Sequence, residues 1–146
     1  MISKSLSFLV GAAFVALIGT LIVAGTRGSE VEDICRPGYA RSHRLPAEEY
    51  YPIARAAYER AGIPWSERAG YTLDHITPLC LGGTWATSNL MIQTKAEAEI
   101  KDRLEWRACE RVCGGTISLG EARAWFADWR ASYRREFGEE PGPRAR

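Results

Sequence analysis

A stretch of 21 uncharged residues near the start of the chain, residues 6–26, is the feature that most constrains the fold. It reads LSFLVGAAFVALIGTLIVAGT. About 20 apolar residues in a helix are enough to span the hydrocarbon core of a bilayer, which is roughly 30 Å thick. The sequence therefore predicts that residues 1–27 are organised separately from the rest of the chain.

Two interpretations of this segment remain open. Val23, Ala24 and Gly25 would suit the cleavage site of a signal peptide. The length of the apolar core instead favours an uncleaved membrane anchor, because the cores of signal peptides usually run to about 7–15 residues. Lys4 precedes the segment, and acidic residues soon offset Arg27 after it, so the remainder should be exported in either case. We expect a domain anchored outside the cytoplasm, or a secreted or periplasmic one.

The exported part is long enough for one domain. Residues 28–138 supply sufficient chain for a single modest core. Residues 139–146, at the end of the stretch GEEPGPRAR, have no apolar period and are predicted to be a disordered tail.

Four cysteines lie in the exported part: Cys35, Cys80, Cys109 and Cys113. An oxidising compartment favours two disulfides over free thiols, and four cysteines allow three connectivities. Cys109 and Cys113 lie one turn apart on a predicted helix, which is poor geometry for a bond between them, so each should pair with Cys35 or Cys80. A zinc site is the weaker alternative, since the spacing is unusual and no histidine lies near it.

Local signals predict an α+β fold with the order helix, β-hairpin, helix, helix. A helix is expected over residues 52–61, with Pro52 in its first turn. Strands are expected from Tyr71 to near Pro78 and over residues 89–93. Thr94 and Glu97 form a capping box that opens the next helix. The predicted apolar face of that helix is Ile100, Leu104, Ala108 and Val112.

A second capping box, Ser118 with Glu121, predicts one long C-terminal helix. Aromatic residues recur along it at helical spacing, which favours a core stripe over a platform for stacking nucleic-acid bases. The predicted stripe is Ala122, Trp125, Phe126, Trp129, Tyr133 and Phe137.

The segment DHITPLCLGG at residues 74–83, the NL pair beginning at Asn89, Gln93, and KDRLE at residues 101–105 together resemble the HNH endonuclease family. The flanking stretches CRPGYARSHR and ERVCGGTISLGEARAWFADWRASYRR are similar to those of small exported HNH-type domains. The resemblance implies a ββα-metal core of a hairpin and a helix, with flanking helices around it.

The resemblance also implies roles for individual residues. His75 would be the general base that takes a proton from water, a task suited to an imidazole titrating near neutral pH. Asp74 would bind a divalent metal ion that neutralises charge on the phosphate. Asn89 would orient the His75 segment. Taken alone, however, Asp74 also suits a solvated carboxylate and Asn89 a plain turn residue.

The chain departs from the family pattern on the helix. Family members commonly carry a further metal-binding histidine there, and this chain reads KAEAEIKD instead. Glu99 is the predicted substitute, with Glu97 and Asp102 as the next candidates. A carboxylate pair suits Mg²⁺ or Mn²⁺ better than Zn²⁺. We expect Lys101 and Asp102 to make local ion pairs on the helix surface.

The charge balance is not that of a strong DNA-binding protein. The chain after the apolar stretch contains 18 of the 19 Lys and Arg residues, because Lys4 precedes that stretch, and all 18 Asp and Glu residues. The net charge of this part is therefore zero. Phosphate contacts would have to come from local clusters, of which Arg41 and Arg44, with Arg36, form one. Arg130, Arg134 and Arg135 form another. For both clusters a solvated face is an equally good interpretation.

The sequence thus predicts a metal-dependent endonuclease of low sequence specificity acting on DNA, with RNA as a second substrate. The alternative is a catalytically inert, disulfide-stapled domain of the same fold that binds nucleic acid or an envelope protein. The oligomeric state is left open.

Overall fold

The computed structural model of the protein describes residues 30–142. Over this range the chain is a mixed helical and sheet structure, as the α+β prediction requires. Residues 30–34 are helical, and short 3-10 segments join the main elements. The helices are α1 (Tyr39–Ser42), α2 (Ala47–Arg60), α3 (Lys95–Cys113), α4 (Leu119–Ala124) and α5 (Trp129–Phe137); the strands are β1 (Tyr71–His75) and β2 (Leu90–Thr94).

The predicted anchor lies outside the described residues, as do residues 143–146 of the predicted tail. Within residues 30–142, no helix combines the length and the apolar character needed to cross a bilayer.

The two strands form one antiparallel hairpin, with Tyr71 opposite Thr94 and His75 opposite Leu90. The first strand is shorter than predicted, because the chain leaves the sheet after His75 to form a loop and a 3-10 turn, Leu79–Leu81. The second strand begins one residue later than predicted, since Asn89 belongs to the 3-10 turn Thr87–Asn89.

Helix α3 begins directly where β2 ends. The predicted capping box is present: the Thr94 hydroxyl accepts a hydrogen bond from the Glu97 backbone N–H, and the Glu97 carboxylate accepts one from the Thr94 N–H. The predicted face is confirmed for Leu104, Ala108 and Val112, which are buried, and Lys101 joins them.

The C-terminal helix is not continuous, contrary to the prediction. Helix α4 ends at Ala124, a 3-10 segment covers Trp125–Asp128, and α5 then begins. Asp128 causes the break, because its backbone is not helical and its carboxylate caps α5 by accepting from the Ala131 N–H at 3.0 Å. The aromatic stripe is still core: Ala122, Trp125, Phe126, Trp129 and Tyr133 are buried, and Phe137 packs against them.

Helix α2 begins five residues before the predicted start. Pro46 is its N-cap, and Glu48 and Glu49 lie in its first turn, where negative charge is favourable. Pro52 is inside this helix rather than at its start. The prediction took Pro52 as the mark of the helix start, which is instead marked by Pro46, Glu48 and Glu49.

Both disulfides connect distant segments to α3. Cys35 bonds Cys113, with Cα atoms 5.5 Å apart, and Cys80 bonds Cys109, with Cα atoms 6.1 Å apart. This confirms that neighbouring Cys109 and Cys113 pair outward. Two such bonds are typical of proteins in an oxidising environment outside the cytoplasm.

The buried apolar residues form two clusters. The larger, called here the helical core, joins α3, α4 and α5 to the N-terminal segment through Ile34 and to the 3-10 turn after β1 through Leu81. The smaller, the hairpin core, consists of Ala54 and Ala57 from α2 with Leu73 and Leu90 from the strands. Partly buried residues, among them Trp65 and Trp85, cover the hairpin core.

Candidate functional site

A cavity of about 350 Å³ lies where β1, its following loop, α3 and the α1–α2 segment meet. Volumes of this size are typical of ligand pockets. Its polar and aromatic lining comprises Arg44, Asp74, His75, Asp102, Glu105, Tyr50 and Trp85. The cavity therefore contains the Asp-His pair that the sequence singled out.

His75 is the last residue of β1 and is 8% exposed. Its Nε2 atom is buried and has no hydrogen-bond partner among the described residues. The ring meets that of Trp85 edge to face, with centroids 4.4 Å apart, and the Trp85 Nε1–H donates to the His43 carbonyl at 2.8 Å. Desolvation lowers the pKa of His75, although the nearby Asp74 carboxylate acts in the opposite direction. The lowered pKa favours a neutral imidazole at pH 7.

Asp74 is held by hydrogen-bond donors on both of its oxygens. Oδ1 accepts from the His75 backbone N–H at 2.7 Å. Oδ2 accepts from Lys101 Nζ at 3.0 Å and from the Gln93 side-chain amide. Both oxygens that would bind a metal ion therefore already face protein donors.

Lys101 is not on the helix surface as predicted, since its side chain is only 1% exposed. Its ammonium donates to Asp74, to the His75 carbonyl at 2.7 Å, and to the Glu105 carboxylate. Desolvation, partly offset by Lys101, raises the pKa of Glu105 to about 7. Desolvation and the nearby Asp74 also raise the pKa of Asp102.

Asn89 fixes the loop that follows His75. Its side-chain oxygen accepts from the Thr77 N–H at 2.8 Å, and its side-chain amide donates to the carbonyls of Thr77 and Thr84, each at 3.0 Å. Its own carbonyl accepts from the Ile76 N–H at 2.8 Å. One side chain thus joins the two sides of the loop that flank the glycine pair.

The glycine pair makes this loop possible. Gly82 has a positive φ of 77°, a conformation that favours glycine. A Cβ atom on Gly83 would lie 1.8 Å from the Thr77 carbonyl oxygen. No other residue fits at Gly83 without moving the loop that carries Thr77.

Glu99 is placed apart from this cluster. It is exposed. It precedes Lys101 by two positions, which correspond to about 200° around a helix. It does not line the cavity, whereas Asp102 and Glu105 do. The structure thus brings Asp74 and His75 together with Asp102 and Glu105 rather than with Glu99.

The residues as arranged do not fit a divalent metal ion. Within residues 30–142, no group of three or more His, Cys, Asp or Glu side chains converges closely enough to hold one. The Lys101 ammonium lies between Asp74 and Glu105, where a shared metal ion would have to lie. An ion could bind both carboxylates only after displacing this ammonium.

Each arginine cluster has both paired and unpaired members. In the first cluster Arg36 pairs with Asp33, whereas within residues 30–142 neither Arg41 nor Arg44 has a carboxylate partner. In the second cluster Arg130 pairs with Glu97 and Arg134 with Glu140, while Arg135 donates to the Ser132 hydroxyl. Arg44 is the member that lines the cavity, and both Arg41 and Arg44 are exposed.

Sequence reasoning missed Lys101, Glu105 and the aromatic residues Tyr50 and Trp85 as members of the site. A signal for Lys101 was available, because it lies three positions before Leu104, on the apolar face of α3. A lysine in that position must bury its charge, and Glu105 one turn later is a natural partner. Nothing in the sequence alone indicated Tyr50 or Trp85.

Comparison with known proteins adds no identification: the chain matches no protein-family model, no curated protein and no solved structure.

Proposed function

We propose that the protein is an HNH-like endonuclease that hydrolyses phosphodiester bonds in DNA at this cavity, with RNA as a second substrate. The observation that carries the proposal is that His75 lines the cavity and that its buried Nε2 atom has no partner among the described residues. A neutral imidazole nitrogen that no described residue engages is free to accept a proton from a water that reaches it.

The arrangement of the elements supports the likeness to the HNH family. An antiparallel hairpin leads directly into α3, and the Asp-His pair ends the first strand. The Asn89 side chain holds the loop after His75, which would keep the imidazole at a fixed position relative to the bound phosphate.

The substrate side of the cavity is suited to a sugar-phosphate backbone. Arg44 at the cavity and Arg41 on α1 offer guanidinium groups that pair with phosphate oxygens. Contacts of this kind hold the backbone and carry no sequence information, so low sequence specificity follows. The pKa of Glu105, raised to about 7 by desolvation, limits the negative charge that would repel a phosphate.

The HNH likeness implies a divalent metal cofactor, and carboxylate ligands would favour Mg²⁺ or Mn²⁺ over Zn²⁺. Because the residues as arranged do not fit such an ion, no step of the proposed reaction is assigned to it. His75 takes the proton from the attacking water, Arg44 binds the phosphate, and Asn89 orients the His75 segment. As the water oxygen bonds to phosphorus, the bond to the leaving 3′ oxygen breaks, and that oxygen takes a proton from solvent.

We place this activity outside the cytoplasm, on a membrane-anchored or secreted domain. The two disulfides support an oxidising location. Residues 1–27 would supply either the anchor or the export signal.

A second candidate is a catalytically inert domain of the same fold that binds nucleic acid or an envelope protein. One observation favours it: both carboxylate oxygens of Asp74, the expected metal ligand, already accept hydrogen bonds from protein donors. In that case Arg41 and Arg44 would bind phosphate without hydrolysis.

A plasmid-nicking assay on the oxidised full chain in mild detergent tests the proposal. It is run in EDTA and with Mg²⁺, Mn²⁺ and Zn²⁺ in turn. His75→Ala should reduce nicking by about 10²–10⁴-fold, the usual contribution of a general base. His43→Ala is the matched control, because His43 is the other histidine of the chain, and should nick normally.

No nicking under any condition by folded protein would contradict the endonuclease proposal. DNA binding that survives in His75→Ala and is weakened in an Arg41→Gln, Arg44→Gln double variant would then support the inert binding domain. Nicking that persists in His75→Ala would show that another group is the base.

A further inference from the structure

The Lys101 ammonium is enclosed as a bound metal cation would be. Its side chain comes from the apolar face of α3 and is 1% exposed. Three oxygens surround it: Asp74 Oδ2 at 3.0 Å, the His75 carbonyl at 2.7 Å, and a Glu105 carboxylate oxygen. The Phe126 ring covers it, with its centroid 5.3 Å from Nζ, a distance at which a cation is attracted to a ring face.

The number and type of these partners match the needs of the ammonium. A lysine has three N–H donors and no acceptor, and here three oxygens accept from it. Two of the three belong to carboxylates, so its positive charge lies between two acidic groups. Hard oxygen ligands of this kind also bind Mg²⁺ and Mn²⁺.

The ammonium also connects the elements of the site. It joins β1, through Asp74 and the His75 carbonyl, to α3, through its own chain and Glu105. A shared metal ion would make the same cross-connection from the same oxygens. The two cations cannot occupy the position together, because both need the space between Asp74 and Glu105.

We propose that this is a cation site whose resident cation is the Lys101 side chain. Lys101 is a positioning residue that holds β1 and its His75 against α3, and the site assembles without a divalent metal. Removing the ammonium while leaving its space empty converts the same oxygens into a binding site for Mn²⁺ or Mg²⁺. The proposal concerns the cavity of the proposed endonuclease but does not depend on nuclease activity.

Thermal unfolding of the oxidised full chain, measured first in EDTA and then in millimolar Mn²⁺, tests the proposal. Two variants replace Lys101 with side chains of different size. Lys101→Ala removes the charge and leaves space for an ion. Lys101→Met removes the charge and fills the space with an apolar chain. Lys95→Ala is the control, because Lys95 is an exposed lysine on the same helix.

The wild-type protein and Lys95→Ala should each unfold at a temperature that does not change between EDTA and Mn²⁺. Both Lys101 variants should unfold at a lower temperature than the wild type in EDTA, because two partly buried carboxyl groups lose a charged partner. Mn²⁺ should raise the unfolding temperature of Lys101→Ala by about 5 °C or more and leave Lys101→Met unchanged. Folding of Lys101→Ala only in the presence of Mn²⁺ would support the proposal equally.

A rise in the unfolding temperature of the wild-type protein with Mn²⁺ would overturn the proposal. So would a Lys101→Ala protein that Mn²⁺ does not stabilise while Lys101→Met folds. If neither variant folds, the wild-type measurement decides. These readouts do not involve DNA, so a chain that never nicks plasmid contradicts the endonuclease and leaves this test intact.

Discussion

The helical core and the hairpin core are stabilised in different ways. The helical core contains twelve buried residues and is crossed by both disulfides on α3. The hairpin core contains four buried residues, and its neighbouring site is held by the polar contacts of Lys101 and Asn89. Apolar packing and disulfides therefore stabilise the helical core, while specific hydrogen bonds set the geometry of the site beside the hairpin core.

Breaking the disulfides should have the largest effect on this comparison. The sequence separation is 78 for Cys35–Cys113 and 29 for Cys80–Cys109. For loops of these lengths, chain entropy alone assigns about 4.5 kcal/mol to the first bond and about 3.6 kcal/mol to the second. Urea unfolding of the two paired Cys→Ala variants should therefore show the larger loss for Cys35 and Cys113. An equal or reversed order would mean that native contacts, rather than loop length, dominate.

Truncating one buried leucine in each core should lower the free energy of unfolding by different amounts. Leu104 is fully buried in the helical core, and Leu73 is 8% exposed in the hairpin core. Within the usual range of about 2–5 kcal/mol, Leu104→Ala should lower the free energy of unfolding by about 3.5 kcal/mol and Leu73→Ala by about 2 kcal/mol. Urea unfolding checks both, and a larger loss for Leu73→Ala would reverse the ranking of the two cores.

The pH dependence of the free energy of unfolding should reveal the contribution of Glu105. Its pKa is about 7 in the folded chain and 4.5 ordinarily, so the folded state binds the proton more tightly. Its stabilising contribution is complete below the ordinary pKa and is lost as pH rises through the folded pKa, with about 2 kcal/mol of it lost between pH 5 and pH 7. His75, whose pKa is lowered, contributes a slope of opposite sign. Relative to the wild type, Glu105→Gln should lack the loss of stability in this range, and an unchanged slope would assign it to other groups.

Replacing Asn89 should have a small effect on stability and a large one on the site. Asn89→Ala removes hydrogen bonds to Thr77 and Thr84 in a partly exposed loop. Each such bond contributes about 1 kcal/mol, and water can replace part of what is lost in an exposed loop. Plasmid nicking should fall by more than this loss explains, because the His75 segment is no longer oriented. Asn89→Asp, which keeps the acceptor for the Thr77 N–H, should lose less, and equal nicking by all three proteins would contradict the orienting role.

The sequence predicted the elements whose signals are local. Thr94 and Glu97 marked the start of α3, and helical spacing identified the aromatic stripe of the C-terminal region as core. The outward pairing of Cys109 and Cys113 followed from helix geometry. Which cysteine each would reach depends on tertiary packing, so that choice could not be made from the sequence.

The failures concern residues whose position depends on distant contacts. Lys101 was assigned to the helix surface, where it was expected to make local ion pairs. Its burial depends on Asp74, which lies on another element of the fold. Glu99 was selected by its distance along the sequence from Lys101, although a helix turns about 200° over two positions. The break at Asp128 needed knowledge that its carboxylate would cap α5.

The bond between Cys35 and Cys113 also decides how the domain carries mechanical tension. A pull applied between residue 30 and residue 142 passes directly through the sulfur atoms from Cys35 to Cys113. All residues between them, including Asp74, His75 and Lys101, lie within the covalent loop that these sulfur atoms close. The backbone of the cavity should therefore not be drawn out end to end by a stretching load that unfolds α4 and α5.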